Sequence, residues 1–328
     1  MPPRGPGRPV EFSEWSIAVL ILLTQAKRLT TKSAQYRYLH AHAEFLASRL
    51  GWERFPARST YFSRYQTAYL LLNEALAAYT NHAADRRQID VRCVAADKSL
   101  VAAVGPPWHK HQRLRGKRPK GVDGEASWSK STHHGWVFGY GIEVVVSAPR
   151  RGLNWPVSGS LDSARVREAK TFPAKIPKLP SQTRYVLVDM GYDSNELGDA
   201  VEFSDQGRPT GRHLVGPQQQ RHNCHGDRKR IWRETHQRRL RRARRVKRRQ
   251  FYERRFGKAL YKRRSKTVEP FFARFKELFD LRDHVRHTGL ENNRTQILAL
   301  LVLYQILLDM NRIKGQNNAE VKWILDLL

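Results

Sequence analysis

The stretch Val91-Arg92-Cys93-Val94-Ala95-Ala96-Asp97 and, further along the chain, Tyr185-Val186-Leu187-Val188-Asp189 both have the pattern of a buried strand. Each is a short apolar run, and such runs are typical of strands that are covered on both faces of a sheet. Each run also ends in a carboxylate. The sequence therefore predicts that two strands present Asp97 and Asp189 at the mouth of one sheet.

A third carboxylate, Glu269, stands at the start of a predicted amphipathic helix. Carboxylates are scarce in this chain, which has 30 Asp and Glu against 60 Lys and Arg. Three of them at one edge of a sheet repel one another unless a divalent cation lies among them. Asp97, Asp189 and Glu269 are therefore the candidate metal ligands.

The formal net charge of +30 indicates a polyanionic partner, and a phosphate backbone is the leading candidate. The early apolar run from Ile17 to Leu23 is too short to cross a bilayer. Cys93 and Cys224 lie far apart, give no disulfide framework and suit a reducing compartment. We expect a cytoplasmic nucleic-acid-binding protein with no membrane partner.

The N-terminal part of the chain is predicted to be helical. Residues 1–10 are rich in Pro and Gly and predict a disordered arm, whereas residues 11–86 keep a helical spacing of apolar positions. A helix that opens with Arg, Ser, Thr and Tyr favours a helix-turn-helix module, in which Arg58 and Arg64 contact DNA. The alternative is a helical cap whose Arg and Tyr side chains are only solvated.

Residues 87–314 change to short apolar runs separated by Gly, Pro and Ser, and residues 315–328 add a C-terminal helix. Strands first and then strands alternating with helices imply an α/β fold, with a mixed sheet flanked by helices. The further strands are predicted at 135–146, at 155–157 on an edge and at 212–215. The helices between them are predicted at 160–170 and 194–202.

A charge run divides this second region. Between Arg228 and Arg249 nearly every second residue is Arg or Lys, within a basic insertion that spans about 218–260. Such a block is disordered or a self-repelling helix when free, and it becomes ordered along phosphates. The predicted DNA contacts within it are Arg238, Arg239, Arg241, Arg242, Arg244 and Arg245.

The stripe that begins at Val268 predicts an amphipathic helix with one buried face. Pro270 is tolerated within the first turn of a helix, so this helix is predicted to begin close to Thr267. Lys276 then lies two turns beyond Glu269 on nearly the same stripe, where it can hold a DNA phosphate. The almost wholly apolar segment 297–310 predicts a helix that is buried on several sides.

Together these residues resemble the DDE transposases of bacterial insertion sequences, in the insertion-sequence-four-like superfamily. Asp189-Met190-Gly191-Tyr192-Asp193-Ser194 is similar to the family's Asp-x-Gly-Tyr-Asp-Ser block, and Glu269 with Lys276 has its Glu-x6-Lys spacing. The resemblance covers about residues 88 to 310. Tyr261 and Arg264 precede Glu269, one residue further upstream than is usual in the family.

The resemblance implies a ribonuclease H-like catalytic core in residues 87–314. It implies two Mg²⁺ ions per site, for which Mn²⁺ can substitute, with Asp97 between them and Asp189 and Glu269 each completing one. It also implies that a homodimer in the bacterial or archaeal nucleoid cuts double-stranded DNA at terminal repeats and joins the 3′-hydroxyl to target DNA. The DNA contacts that the resemblance adds are Tyr192, Tyr261, Arg264 and Lys276.

Other readings of the acidic and histidine residues remain open. Asp193 is a rival ligand to Asp189 but favours a helix-capping role, and Glu143 in a strand is a weaker rival. The group His222, Cys224 and His225 matches no structural zinc spacing, and His133-His134 favour a solvated loop over phosphate contact. The alternative functions are a non-catalytic DNA-binding protein, either a regulator or an inactive transposase relic, and an RNA-binding basic protein.

Overall fold

The computed structural model describes residues 11–116, 118–131, 135–219, 235–281, 284–316 and 318–328. Four helices precede the sheet: α1 (Glu14–Ala26), α2 (Lys32–Ala41), α3 (Ala43–Leu50) and α4 (Arg58–Asp85). The hydroxyls of Ser13 and Thr31 accept backbone N–H groups at the starts of α1 and α2, as N-capping residues do. The predicted all-helical N-terminal region is confirmed. The predicted arm, residues 1–10, lies outside the described residues.

Within the described residues, six strands form one mixed sheet. They are β1 (Cys93–Ala102), β2 (Ser127–Ser131), β3 (Gly135–Ser147), β4 (Pro156–Ser163), β5 (Tyr185–Leu187) and β6 (His213–Val215). The order is β2-β3-β1-β5-β6, and β4 also pairs with β3. The pairs β1–β3, β2–β3 and β3–β4 are antiparallel, whereas β5 runs parallel to both β1 and β6. With its flanking helices, this sheet is the predicted α/β ribonuclease H-like fold.

The remaining helices follow the sheet or interrupt it. They are α5 (Lys110–Leu114), α6 (Glu168–Thr171), α7 (Asn195–Glu202), α8 (His236–Glu253), α9 (Arg255–Leu278), α10 (Leu290–Ile313), α11 (Lys322–Leu327), and two 3₁₀ helices at Phe172–Lys178 and Met190–Tyr192. The prediction of a helix over 160–170 was wrong, because β4 continues to Ser163 and α6 has four residues. The group His222, Cys224 and His225, the pair His133-His134 and the start of the basic run at 228–234 lie outside the described residues.

The helix that carries Glu269 differs most from its prediction. It begins at Arg255 rather than near Thr267, so Pro270 lies inside it. An interior proline removes one backbone hydrogen bond and costs roughly 3 kcal/mol in an isolated helix. Here Leu260, Val268 and Phe271 are buried on both sides of the proline, and that tertiary packing outweighs the missing bond.

The N-terminal helices share their core with the sheet. Helix α10 packs against α1, α4 and β4, and a single hydrophobic cluster runs from Phe12 through the sheet to Leu325. Buried polar bonds join the same elements, since the Trp155 indole N–H and the Gln305 amide both donate to the Thr80 hydroxyl. Within the described part of the chain, α10 is the helix long and apolar enough to span a membrane, and 72% of its most apolar window is buried inside the protein.

Candidate active site

Asp97, within β1, and Asp189, just after β5, lie side by side where the two strands stop pairing. The parallel pairing of β1 with β5 ends at Ala95 opposite Leu187, and each aspartate lies two residues beyond that last pair. Side chains alternate along a strand, so these two carboxylates lie on the same face of the sheet, just beyond the point where β1 and β5 stop pairing. The sequence predicted that Asp97 ends its strand. It lies instead inside β1, which continues to Ala102 against β3.

One guanidinium group joins the two carboxylates. The Nη2 atom of Arg264, on α9, lies 2.8 Å from Oδ1 of Asp97 and 3.6 Å from Oδ2 of Asp189. The arginine side chain is 12% exposed, and the two aspartates are 23% and 41% exposed. The sequence predicted a DNA contact for Arg264, and in this structure its nearest anionic partners are the two acids.

Burial raises the pKa of Asp97 to about 6. The Arg264 charge and the Lys98 backbone N–H, which donates to Oδ1 of Asp97 at 2.9 Å, act in the opposite direction. The negative charges of Asp189 and Glu168 add to the rise. A carboxylate in this position keeps its charge most readily when a cation lies beside it.

Asp189 also begins the turn that follows β5. Its Oδ1 accepts the Gly191 N–H at 2.8 Å and caps the 3₁₀ helix Met190–Tyr192. Tyr192 is fully buried edge-on against Phe172. The predicted DNA contact of Tyr192 does not fit this burial, because no part of the side chain reaches the surface.

Asp193 does not cap the next helix, contrary to the prediction. Ser194 is the N-cap of α7. The Asp193 carboxylate accepts hydrogen bonds from both terminal nitrogens of Arg245, each at 2.6 Å. The other rival acid, Glu143, lies buried on β3, where it accepts the Thr171 hydroxyl and pairs with Lys175. Both acids therefore have a structural cation of their own.

Glu168 was not singled out from the sequence. It opens α6, and its carboxylate lies beside Gly191, where an added Cβ would be 3.1 Å from Oδ1 of Asp189 and 3.4 Å from Oε2 of Glu168. The Lys98 ammonium lies 3.6 Å from Oε1 of Glu168. Its position in a short loop helix gives no periodic signal in the sequence, so only the fold reveals this neighbourhood.

Glu269 is not brought into a cluster with the other two acids. Its side chain is exposed on α9, and the described residues include no group of three or more acidic, histidine or cysteine side chains arranged to hold a metal ion. It lies between two contacts of α9 with β1. Arg264 pairs with Asp97, and the Lys276 ammonium donates to the Leu100 carbonyl at 3.0 Å.

The other two residues predicted on this helix lie close to the same edge. Burial lowers the pKa of Lys276 and raises that of Tyr261, and the Asp189 charge adds to the rise for Tyr261. Tyr261 is half-buried and packs edge-on against Tyr252. Together with Arg264, these side chains place a hydroxyl and two cations along the carboxylate edge.

The described part of the basic run lies in α8, and several of its arginines have protein partners. Arg245 pairs with Asp193, Arg248 is buried against Asp199 and Glu202, and Arg244 lies over the Phe203 ring. Arg241 and Arg244 are also within 4 Å of Asp199. The predicted DNA contacts Arg241, Arg244 and Arg245 thus hold α8 on α7, whereas Arg238, Arg239 and Arg242 have exposed side chains.

The two arginines predicted to contact DNA from the N-terminal region lie on α4. Arg58 is exposed, donates to the Ser33 hydroxyl at 3.0 Å and stacks on Phe62. Arg64 is within 3.5 Å of Glu14 on α1. Both lie in the first two turns of α4, and their contact with DNA stays a prediction.

A family model described as a transposase DDE domain matches residues 90–306 of this chain. The match begins just before β1 and ends within α10, so it includes both aspartates of the sheet edge and all of α9. The comparisons with curated proteins and with solved structures each find no match.

Proposed function

The chain belongs to the family of transposases with a DDE domain, and from this premise we propose that it cuts the ends of its own mobile element and joins the 3′-hydroxyl to target DNA. The observation that supports the proposal most strongly is the convergence of Asp97 and Asp189 on one guanidinium nitrogen. The two acids share a cation where the parallel pairing of β1 with β5 ends. Asp189 directly follows the carboxyl end of β5, the end at which open α/β sheets bind their ligands.

The two aspartates supply oxygen donors suited to a hard divalent cation, and Glu269 would have to approach them to complete a set of three. The groups at the edge are carboxylate oxygens, which Mg²⁺ and Mn²⁺ prefer, and Arg264 shows that the position already attracts positive charge. Gly191 leaves open the space between Asp189 and Glu168 that a Cβ would fill. We propose that Asp97, Asp189 and Glu269 hold the metal, and that when bound it stabilises charge on the attacking and leaving oxygens of the phosphodiester.

The residues of α9 have complementary tasks in this proposal. Arg264 neutralises the two aspartates in the metal-free protein and is free to bind a DNA phosphate once they have another cation. Lys276, two turns beyond Glu269, holds a second phosphate. Glu269 completes the carboxylate set from the helix face that runs along β1 between these two cations.

The wider surface favours DNA as the partner. A transposase acts on DNA, and the net charge of +30 supplies non-specific affinity for it. We propose that the exposed arginines at the start of α8, Arg238 and Arg239, follow the backbone of the element end. Because two ends must be held together before they are joined to a target, the proposed active form is a homodimer on DNA.

The test is cleavage of duplex DNA that includes the sequences flanking the gene on both sides. The full-length protein is expected to nick this DNA at fixed positions with Mg²⁺ or Mn²⁺ and not with a chelator. Asp97→Asn, Asp189→Asn and Glu269→Gln are each expected to abolish nicking while DNA binding remains. Binding with no nicking under any divalent cation would favour a non-catalytic DNA-binding protein instead. Nicking that survives all three substitutions would overturn the assignment of these carboxylates.

A further inference from the structure

Trp136, near the start of β3, presents a large indole to solvent. Its side chain is 66% exposed, and it lies directly opposite Lys130 in the antiparallel pair of β2 and β3. Asp97 lies opposite Val144 on the same strand, eight residues beyond Trp136. Because side chains alternate along a strand, Trp136 and Lys130 are on the face of the sheet that carries Asp97. At about 3.4 Å per residue, the indole is about 27 Å from Asp97 along β3.

The pair of strands that carries this indole is braced by the loop after β1. The Arg113 guanidinium lies over the rings of Trp108 and Phe138, 5.4 and 5.9 Å from their centroids. The Trp128 indole N–H donates to the Trp108 carbonyl at 2.9 Å, and the Trp128 ring is 5.5 Å from that of Phe138. The His109 ring lies 5.7 Å from Trp128 on the other side. Phe138 is two residues beyond the exposed indole on the same face, so this packing fixes the strand that presents it.

The surface around the exposed indole is cationic. Residues 104–136 include seven Lys and Arg but only two acids, Asp123 and Glu125. Both acids accept backbone N–H groups at the start of α10, at 2.9 and 2.8 Å, and are engaged there. An apolar ring among cations is complementary to a partner that combines negative charge with flat aromatic faces. The exposed cations among the described residues of this range are Lys110, Arg115, Arg118, Lys120 and Lys130.

Unpaired nucleotides have this combination of charge and shape. Proteins bind single strands with cationic surfaces that follow the phosphates and with aromatic side chains on which the bases stack. In a duplex each base is covered by its neighbours, so an exposed indole can stack only on a base that has left the helix or stands at its end. The 27 Å to Asp97 corresponds to about eight nucleotides at 3.4 Å per nucleotide of a stacked strand.

We propose that Trp136 and Lys130 form a binding position for an unpaired nucleotide, about eight nucleotides from the phosphodiester at the aspartate pair. The Trp136 indole stacks on the base, and the Lys130 ammonium pairs with an adjoining phosphate. The Lys276 ammonium lies between the two positions, where it donates to the Leu100 carbonyl of β1. This inference rests on the proposed function, because it extends the path of the same DNA along the sheet.

The alternative is an apolar contact of Trp136 with a second copy of this chain. Two substitutions distinguish the two partners. Trp136→Phe keeps a flat aromatic ring, whereas Trp136→Leu keeps an apolar side chain without one. Stacking on a base should survive in the Phe variant and be lost in the Leu variant. An apolar protein contact should respond to both substitutions in a similar way.

The experiment measures binding of the full-length protein to two labelled DNAs by fluorescence anisotropy in a chelator, where no cleavage occurs. One DNA is a fully paired duplex, and the other adds a single-stranded extension of about ten nucleotides. Trp136→Leu is expected to weaken binding of the extended DNA by about tenfold, in the range for the loss of one stacked base. Binding of the paired duplex should change little, and Lys130→Gln should weaken binding of the extended DNA a few-fold.

The matched control is Trp15→Leu, which removes another exposed indole, 57% exposed on α1. It should bind both DNAs like the unmodified protein, and thermal unfolding checks that each variant is folded. A second measurement changes the DNA instead of the protein, with abasic nucleotides in the extension. They keep the phosphates and remove the bases, so they should weaken binding by the unmodified protein and have little further effect on Trp136→Leu. If Trp136→Leu does not fold, the abasic extension and Trp136→Phe still test the stacking.

The outcomes separate this inference from the function on which it rests. Equal weakening for paired and extended DNA, or no effect of abasic nucleotides on the unmodified protein, would overturn the stacking role. Unchanged DNA affinity in Trp136→Leu would overturn it as well, and a changed sedimentation coefficient of that variant would identify the protein contact. Nicking at fixed positions with no effect of Trp136→Leu leaves the transposase proposal intact. Selective weakening in Trp136→Leu, with no nicking under any divalent cation, supports the binding position and counts against the proposed chemistry alone.

Discussion

The strand-borne pair, Asp97 and Asp189, and the helix-borne acid, Glu269, have different surroundings in this protein. The pair is partly buried and shares the Arg264 guanidinium, at 2.8 and 3.6 Å. Glu269 is exposed on α9 and has no place in a group of three acids within the described residues. The two aspartates are therefore already held together, whereas the glutamate is on the same helix as the cation that joins them.

The difference follows from how each element is held. Backbone pairing between β1 and β5 fixes the level of both aspartates to within one residue, because each follows the last paired position by two. Helix α9 is held by side chains, among them Val268 and Phe271 in the core and Arg264 and Lys276 at the edge. A helix that is held by side-chain packing can shift more easily than a strand that is held by backbone hydrogen bonds. We therefore expect that, without metal, substitutions of Asp97 or Asp189 change the stability of the protein and a substitution of Glu269 does not.

Substituting Asp97 is expected to have the largest effect. Asp97→Asn removes the carboxylate nearest to Arg264 and should slow single-turnover DNA cleavage by about 10³-fold or more, which corresponds to roughly 4 kcal/mol of transition-state stabilisation. Glu269→Gln should slow cleavage by a similar factor. Cleavage of pre-assembled protein–DNA complexes after addition of Mg²⁺ measures both variants.

Without metal or DNA, Asp97→Asn and Glu269→Gln should have different effects on thermal stability. Asp97→Asn should shift the thermal unfolding midpoint, because it breaks the ion pair with Arg264 and removes a buried charge. Glu269→Gln should leave the midpoint unchanged, since surface substitutions of this kind usually change stability by less than about 0.5 kcal/mol. Equal shifts for both variants would show that Glu269 already belongs to the metal-free site.

Arg264→Gln is a second way to distinguish the aspartate pair from Glu269. It leaves Asp97 and Asp189 facing each other without their shared cation, and the free energy of unfolding should fall by about 1–3 kcal/mol in a chelator. Added Mg²⁺ should restore part of this stability, because a ligand that binds only the folded state stabilises it. Chemical denaturation with and without Mg²⁺ measures the effect. A fall in stability that Mg²⁺ does not reduce would contradict a common cation position.

The matched control for Arg264 is Arg263, its neighbour on α9. Arg263→Gln removes the same charge from the same helix turn, but this guanidinium is not within ion-pair distance of Asp97 or Asp189 in the described contacts. We expect a smaller fall in stability and no restoration by Mg²⁺. The contrast between the two variants isolates the shared ion pair from the general decrease in positive charge.

The pH dependence of stability gives the third test. Since the pKa of Asp97 is raised to about 6 in the folded protein, above that of an unfolded aspartate, the folded state binds the proton more tightly. The stability that this group contributes is present at low pH and is lost as pH rises from about 4 through about 6. The slope attributable to Asp97 approaches about 1.4 kcal/mol per pH unit at most. Urea unfolding of the metal-free protein across this range should show that slope, and Asp97→Asn should lack it.

How much of this could be predicted from the sequence depends on the kind of contact. The apolar runs before Asp97 and Asp189 were sufficient to predict the two strands, because a buried strand has a strong local pattern. They did not predict the end of β1, because its pairing with β3 continues to Ala102. The start of α9 was predicted wrongly, since the rule for Pro270 is local and the packing of Leu260 and Val268 is not. Glu168 and the pairing of Arg245 with Asp193 arise from interactions between distant segments, which carry no periodic signal.

The smallest expected effect extends the comparison from acids to cations. Arg245 is held by Asp193, whereas Arg238 and Arg239 are exposed at the start of α8. Replacing both exposed arginines with Gln should weaken duplex DNA binding a few-fold, with stability unchanged. The slope of log K against log salt should fall by about one for each phosphate that the protein no longer neutralises.

Arg245→Gln should instead lower stability, because it leaves the buried Asp193 carboxylate without its cation. Fluorescence anisotropy at several salt concentrations, with thermal unfolding of the same samples, measures both. An equal decrease in DNA affinity in the two variants, with no decrease in stability in Arg245→Gln, would mean that the Asp193 pair opens to bind DNA and that the distinction between fixed and free arginines on α8 does not hold.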